Sequence, residues 1–202
     1  MIDSTNNFSI ENKYSDYIIV GIDEVGKGAW AGPVVAGAVI IQQIELFNAI
    51  KDSKKLSAQK REKLSAEILT NHHCGIGLAT VEEINSLSLN PATILAMERA
   101  LNSLTPRPSL ALIDGNYKTT LPIKTVSIIK GDQKSISIAA ASIIAKTYRD
   151  RFMQNLAIQY NQYLWEKNVG YGTAYHIEMI KKHGISKYHR KNFKPIKLLA
   201  IA

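Results

Sequence analysis

Three apolar, strand-like segments of this chain run into acids: Ile22-Asp23-Glu24, Leu112-Ile113-Asp114 and Ile129-Lys130-Gly131-Asp132. In open α/β sheets ligands collect beyond the carboxyl ends of strands, so three such ends can bring four carboxylates together. Neighbouring carboxylates repel and raise one another's pKa, and a cluster of four calls for bound cations. Mg²⁺ or Mn²⁺ takes oxygen ligands, and two such ions about 4 Å apart stabilise the attacking and leaving oxygens of an in-line phosphoryl displacement. The competing reading is ordinary, since an acid at a strand end commonly meets solvent or caps a turn. Asp23 and Glu24 also raise a geometric objection, because successive residues on a strand face opposite ways. Both reach one site only where the strand ends or bulges, and Gly26 and Gly28 just beyond them permit such distortion.

The elements that would position these acids can be read from the pattern of apolar residues. Residues 17–22 and 34–41 are rich in β-branched side chains and read as two strands joined by the glycine-rich segment 26–32. Ser57 is suited to cap a helix running to residue 69, and residues 76–81 make a third strand. Asn90-Pro91 opens a helix to about residue 104, followed by strands at 110–114 and 123–129. The spacing of Ile136, Ala140, Ile143, Ile144, Tyr148, Phe152 and Leu156 predicts a long helix from Ser135 to about residue 160, and a short helix follows at 175–183. Neighbouring strands first, then strands alternating with helices, predict an α/β fold with a mixed sheet flanked by helices.

The 202 residues suit one domain: a core over about 15–164, a basic helical appendage over about 165–202, and a flexible segment 1–14. The net charge of +8 suggests a polyanionic partner such as nucleic acid. Its distribution says more. No acid follows Glu178, whereas Lys181, Lys182, Lys187, Arg190, Lys191, Lys194 and Lys197 do, giving residues 179–202 a charge of +7. Residues 51–63 form a second patch of +4. A lone Cys74 excludes an internal disulfide, and neither a signal peptide nor an apolar run of about 18 residues is present, so a cytoplasmic location is expected.

Other motifs carry less. Residues 21–27 match seven positions of a phosphate-binding loop, but Gly28 supplies no hydroxyl, Asp23 and Glu24 would repel phosphate, and a strand follows where a helix is required. His72-His73-Cys74 is too contiguous to wrap a tetrahedral zinc. Asp150, between Arg149 and Arg151, reads as part of a surface ion pair. His176 and His189 read as structural or phosphate-facing.

Longer motifs supply a resemblance. Asp-Glu-Val-Gly-Lys-Gly at 23–28, Ala31-Gly32-Pro33-Val34-Val35, Asp52-Ser53-Lys54-Lys55-Leu56-Ser57, Asp114-Gly115-Asn116 and Lys130-Gly131-Asp132 with Ser135 occur in this order. Ile138-Ala139-Ala140-Ala141-Ser142-Ile143, Arg149-Asp150, Gly170-Tyr171-Gly172-Thr173, His176 and His189-Arg190 follow. Over about residues 17–195 the chain resembles bacterial ribonuclease HII. That resemblance implies a ribonuclease H-like fold and an endonuclease acting on the RNA strand of RNA–DNA hybrids and on single ribonucleotides in duplex DNA; a monomer is expected. It implies two Mn²⁺ or Mg²⁺ ions on Asp23, Glu24, Asp114 and Asp132, the four acids collected above. It further implies substrate contacts through Gly26, Lys27 and Gly28 at the ribose 2′-hydroxyl, Tyr171 on a sugar, and Lys54 on a phosphate. Lys27 departs from an arginine of the family and Val169 from a lysine, so a hybrid-binding protein with weakened turnover, or another nuclease of the same fold, is the alternative.

Overall fold

The computed structural model describes residues 10–42, 50, 57–118 and 121–201. Five strands form one mixed sheet in the order β3-β2-β1-β4-β5. β1 (Ile19–Val25) pairs antiparallel with β2 (Val34–Ile40), with Asp23 opposite Gly37 and Glu24 opposite Ala36. β3 (His73–Ala79) continues antiparallel on the other side of β2. β4 (Leu110–Asp114) lies parallel to β1, and β5 (Lys124–Ile128) parallel to β4. The β1–β4 ladder stops at Ile22 and Ile113, one residue before Asp23 and Asp114. Beyond it β1 pairs within the sheet with β2 alone among the described strands.

The helices are α1 (Ala58–Asn71), α2 (Val81–Leu87), α3 (Leu89–Asn102), α4 (Ile136–Gln159), α5 (Trp165–Asn168), α6 (Ala174–His183) and α7 (Lys194–Ile201). The alternation of side chains sorts the strands onto two faces. Val20, Ile22, Ala36, Ala38, Ala111 and Ile113 pack with Ala92, Ala96, Met97 and Ala100 of α3. Leu110 and Leu112 pack instead on Ile138 of α4, and Val39 joins the α4 residues Ala140, Ile143 and Ile144. α4 lies very close to β1, since a Cβ on Gly21 would come within 2.1 Å of the Ser137 carbonyl carbon. The glycine that begins the phosphate-loop-like pattern therefore serves helix–strand packing.

Local capping follows the sequence at several points. Ser57 caps α1 by accepting from the Lys60 amide, and Ser135 caps α4 by accepting from Ile138. Glu11, in a 3₁₀ turn (Glu11–Tyr14) within the segment expected to be flexible, reaches the start of α4. Its Oε1 accepts from the Ser137 amide (3.1 Å) and the hydroxyls of Ser135 (2.6 Å) and Ser137 (2.8 Å).

The structure differs from expectation between residues 73 and 91. β3 begins and ends earlier than residues 76–81, because Thr80 leaves the strand to cap α2, its hydroxyl accepting from Glu83 while the Glu83 carboxylate accepts from the Thr80 amide. Asn90-Pro91 falls inside the first turn of α3, which follows Ser88 at φ 68°. Among the described residues no helix is long and apolar enough to cross a membrane.

Candidate active site

The objection that Asp23 and Glu24 face opposite ways is correct, and the fold uses it. Asp23 lies on the α4 face of the sheet, hydrogen-bonded to Ser142, and Asp114 belongs to the same face of β4 as Leu110 and Leu112. Glu24 lies on the other face, where Oε1 accepts from the Tyr117 hydroxyl (2.8 Å) and stands 3.7 Å from Lys27 Nζ. The three acids meet across the opening left where β1 and β4 cease to pair. Asp23 is only 7% exposed. Burial, with the charges of Glu24 and Asp114, pushes its carboxyl up to about 7. Burial also raises Glu24, against the opposing effects of Tyr117 and Lys27. The Gly131 amide donates to Asp114 Oδ1 (2.5 Å), and Asp132 follows at once in a half-buried 3₁₀ turn (Gly131–Gln133).

Among the described residues no group of three or more His, Cys, Asp or Glu side chains is placed to hold a metal ion. The corner nevertheless suits a hard cation. Glu24 Oε2 is buried without a hydrogen-bond partner, and like charges crowd a site whose carboxylates offer oxygen ligands. Asp23, Glu24, Asp114 and Asp132 are the groups available to hold it.

Next to this corner, the loop after β1 and the segment before α6 are joined along one rim. Gly26 stands at φ 91°, and a Cβ there would lie 2.1 Å from Arg149 Nε, so only glycine fits. Gly28 is exposed, and a Cβ on it would be 3.6 Å from the Tyr171 ring. The amides of Trp30 and Ala31 donate to the Gly170 carbonyl (2.8 and 3.2 Å). Gly26, Lys27, Gly28 and Tyr171 are thereby brought together, whereas Lys54 lies outside the described residues.

Two arginines hold this rim, and both were misread. Arg149 is fully buried rather than paired with Asp150 at the surface. It donates to the carbonyls of Pro33 (3.0 Å), Val169 (2.8 Å) and Ala31 (3.0 Å), and its guanidinium lies 5.7 Å from the Tyr171 ring centroid. Asp150 pairs instead with Lys146 (2.7 Å), and Arg151 with Glu62. Arg190, counted among the tail's positive charges, is also fully buried, donating to Gly32 O and Lys27 O (3.0 Å each). The six lysines of residues 179–202 are exposed.

His176 and His189 face each other in an aromatic seam with Tyr163, Trp165 and Tyr188. Partners assign the tautomers. His176 Nδ1 donates to the Tyr171 carbonyl (2.9 Å), leaving Nε2 to accept from Trp165 Nε1 (3.1 Å) and His189 Nε2 (3.1 Å). His189 Nδ1 accepts from the Ser186 amide (2.8 Å) and hydroxyl (3.0 Å). Burial lowers His176, and burial with His176 alongside pushes His189 down to about 3. Both rings are therefore neutral structural groups. In the fragment 72–74, His72 Nδ1 accepts from the Gln42 amide (3.2 Å) while the Cys74 thiol donates to Ile68 O (3.4 Å).

Comparison with known proteins gives the family. The family model described as Ribonuclease HII matches residues 20–196. The chain belongs to the ribonuclease HII family. A ribonuclease HII of Rickettsia typhi is 48% identical over 189 residues, covering 94% of this chain and 97% of that protein. The crystal structure of the ribonuclease H2 from Pyrococcus horikoshii superposes with a TM-score of 0.77 at 27% identity, covering 91% of this chain and 97% of the other. Bst-RNase HIII, solved in complex with Mn²⁺, shares the fold with a TM-score of 0.68 at 21% identity, covering 91% of this chain and 68% of that one. This ribonuclease HII is accordingly an endoribonuclease that hydrolyses RNA in hybrids with DNA. The sequence reading assigns no role to Tyr117 or Ser142 and not the buried roles of Arg149 and Arg190, although Ser142, Arg149 and Arg190 stand in the motifs that carry the resemblance.

Proposed function

We propose that this ribonuclease HII cleaves the RNA strand of hybrids and nicks on the 5′ side of single ribonucleotides in duplex DNA, as a cytoplasmic monomer. Asp23, Glu24, Asp114 and Asp132 would hold Mn²⁺ or Mg²⁺. The supporting observation is the corner itself: a buried Asp23 raised to about 7 beside Glu24 and Asp114, with Glu24 Oε2 buried and unpartnered. Divalent ions held there would supply an activated water and stabilise the departing 3′-oxygen.

The remaining work belongs to the chain. Asp23 and Asp114 approach from the α4 face and Glu24 from the other, so the scissile phosphate is approached from both sides of the sheet's edge. The Gly131 amide fixes one oxygen of Asp114. The main chain at Gly26, Lys27 and Gly28 reads the ribose 2′-hydroxyl, which distinguishes RNA from DNA. Exposed Gly28 leaves room for that approach beside Tyr171, whose ring packs on the neighbouring sugar. The Lys27 side chain donates to the Tyr117 hydroxyl (2.6 Å), so it acts inside the site rather than as a free phosphate contact. The exposed lysines of the C-terminal segment contact phosphates without reading sequence.

The test is a duplex carrying one ribonucleotide, incubated with purified protein and Mn²⁺, then with EDTA. Metal-dependent nicking 5′ of the ribonucleotide is expected. Binding without nicking, or cutting of an all-DNA duplex at a similar rate, would overturn the proposal.

A further inference from the structure

Tyr117 occupies a position between the substrate loop and the carboxylates. A tyrosine hydroxyl donates one hydrogen bond and accepts others, a lysine ammonium only donates, and an ionised carboxylate only accepts. With Lys27 Nζ 2.6 Å and Glu24 Oε1 2.8 Å from the hydroxyl, the order is forced: Lys27 donates to Tyr117, and Tyr117 donates to Glu24. Oε1 is thereby engaged. Oε2, buried and without a partner, is the oxygen left over.

The ring is held independently of these bonds. The Tyr117 carbonyl accepts from Ser127 Oγ of β5 (2.7 Å), and the Gly115 amide donates to Ile128 O (3.0 Å), fixing the loop after Asp114 against β5. The ring packs against the apolar cluster that includes Ile22, Ala111 and Ile113. The absent Cβ of Gly115 would sit 3.4 Å from it. The hydroxyl is thus delivered to Glu24 by a scaffold that does not depend on Glu24. A tyrosine present only for packing would not need its hydroxyl aimed at a carboxylate.

We propose that Tyr117 is a positioning residue that sets the rotamer of Glu24, leaving Oε2 as the metal-binding oxygen, and ties Lys27 of the substrate loop to that carboxylate. The proposal rests on the reading of Glu24 as a metal ligand. Groups of this kind behind a ligand commonly change metal affinity by about 10–100-fold when removed.

Tyr117→Phe keeps the ring and every apolar contact while deleting the hydroxyl. Calorimetric titration with Mn²⁺, without nucleic acid, is expected to show affinity lowered about tenfold. Melting in EDTA should be little changed. In the nicking assay the Mn²⁺ dependence should move to higher concentration by a similar factor, with cleavage recovered at saturating metal and KM for the duplex retained. Unchanged Mn²⁺ affinity in Tyr117→Phe, or a fall in cleavage that saturating Mn²⁺ does not recover, would overturn the proposal.

Two further variants keep the outcomes separable. Glu24→Gln tests the underlying reading: if it leaves Mn²⁺ affinity intact, Glu24 is not a ligand, and that reading fails irrespective of Tyr117. Lys27→Met removes the donor behind the hydroxyl and a positive charge 3.7 Å from Glu24 Oε1, and is expected to bind Mn²⁺ at least as tightly as the unaltered protein. If Lys27→Met weakens Mn²⁺ as much as Tyr117→Phe does, Lys27 rather than Tyr117 orients the carboxylate and the proposal is wrong.

Discussion

The carboxylate corner, half-buried apart from its buried Asp23, and the buried histidine seam treat their polar groups in opposite ways. In the seam each imidazole nitrogen of His176 and His189 has a partner, and Arg149 reaches three carbonyls. Arg190 leaves one guanidinium nitrogen without a partner there. At the corner, like charges crowd together and a carboxylate oxygen is left over. A buried polar group that is hydrogen-bonded holds architecture together, whereas like charges crowded at a partly buried site destabilise the fold until a counter-charge arrives. The seam positions Tyr171 and the glycine loop; the corner gathers acids beside them.

The contrast breaks most sharply at the acids. Asp23→Asn or Asp114→Asn is expected to lower cleavage by at least about a thousandfold, the equivalent of about 4 kcal/mol. Asp23→Asn should also raise the melting temperature in EDTA by several degrees, since it removes a buried charge facing Glu24 and Asp114. A fall in melting temperature would make Asp23 a structural group like those of the seam.

Arg149→Ala is the counterpart on the other side. It strips donors from the carbonyls of Ala31, Pro33 and Val169, and a loss of about 3 kcal/mol or more in urea unfolding is expected. Arg149→Lys should recover little, because one ammonium cannot span three carbonyls. Cleavage lost with no change in unfolding would shift Arg149 from the scaffold to the chemistry.

The two regions also titrate in opposite directions. The folded-state pKa of His189, about 3, is below the ordinary value of 6.5, so the unfolded chain binds the extra proton and stability falls as pH drops from about 6.5 toward 3. A loss on the order of 2 kcal/mol between pH 7 and 4 is expected in urea midpoints, and His189→Gln should flatten it. Asp23, raised from 3.8 to about 7, works the other way: without metal its contribution fades as pH rises through that interval. Mn²⁺ should restore stability at pH 7.

The smallest effect concerns the tail. Deleting residues 179–202 would remove buried His189 and Arg190, so charge is better tested by replacing Lys181, Lys182, Lys187, Lys191, Lys194 and Lys197 with glutamine. Duplex binding should weaken about tenfold near 0.1 M salt with a shallower salt dependence, measured by fluorescence anisotropy. An unchanged salt slope would leave these lysines as ordinary surface.

What could be read from the sequence was local. β4 occupies residues 110–114 as expected, and the caps Ser57 and Ser135 lie where a short polar side chain precedes an apolar period. The Thr80-x-x-Glu83 capping box is equally legible and marks the end of β3 at Ala79. Collecting the four acids as candidates needs only that strand ends converge in such a sheet, but Asp23 and Glu24 lie within β1 (Ile19–Val25) and Asp132 four residues beyond β5 (Lys124–Ile128). The roles of Arg149, Arg190 and Tyr117 were not legible. The arginine partners lie at residues 27–33 and 169, and the partners of Tyr117 about 90 positions away, so nothing near any of these three in the chain marks its role.

Anomalous scattering from crystals grown with Mn²⁺ tests the central claim most directly. Manganese is expected between Asp23, Asp114 and Glu24 Oε2, with Asp132 completing the set. Crystals saturated with Mn²⁺ that show no manganese on these carboxylates, or manganese bound only elsewhere, would contradict it.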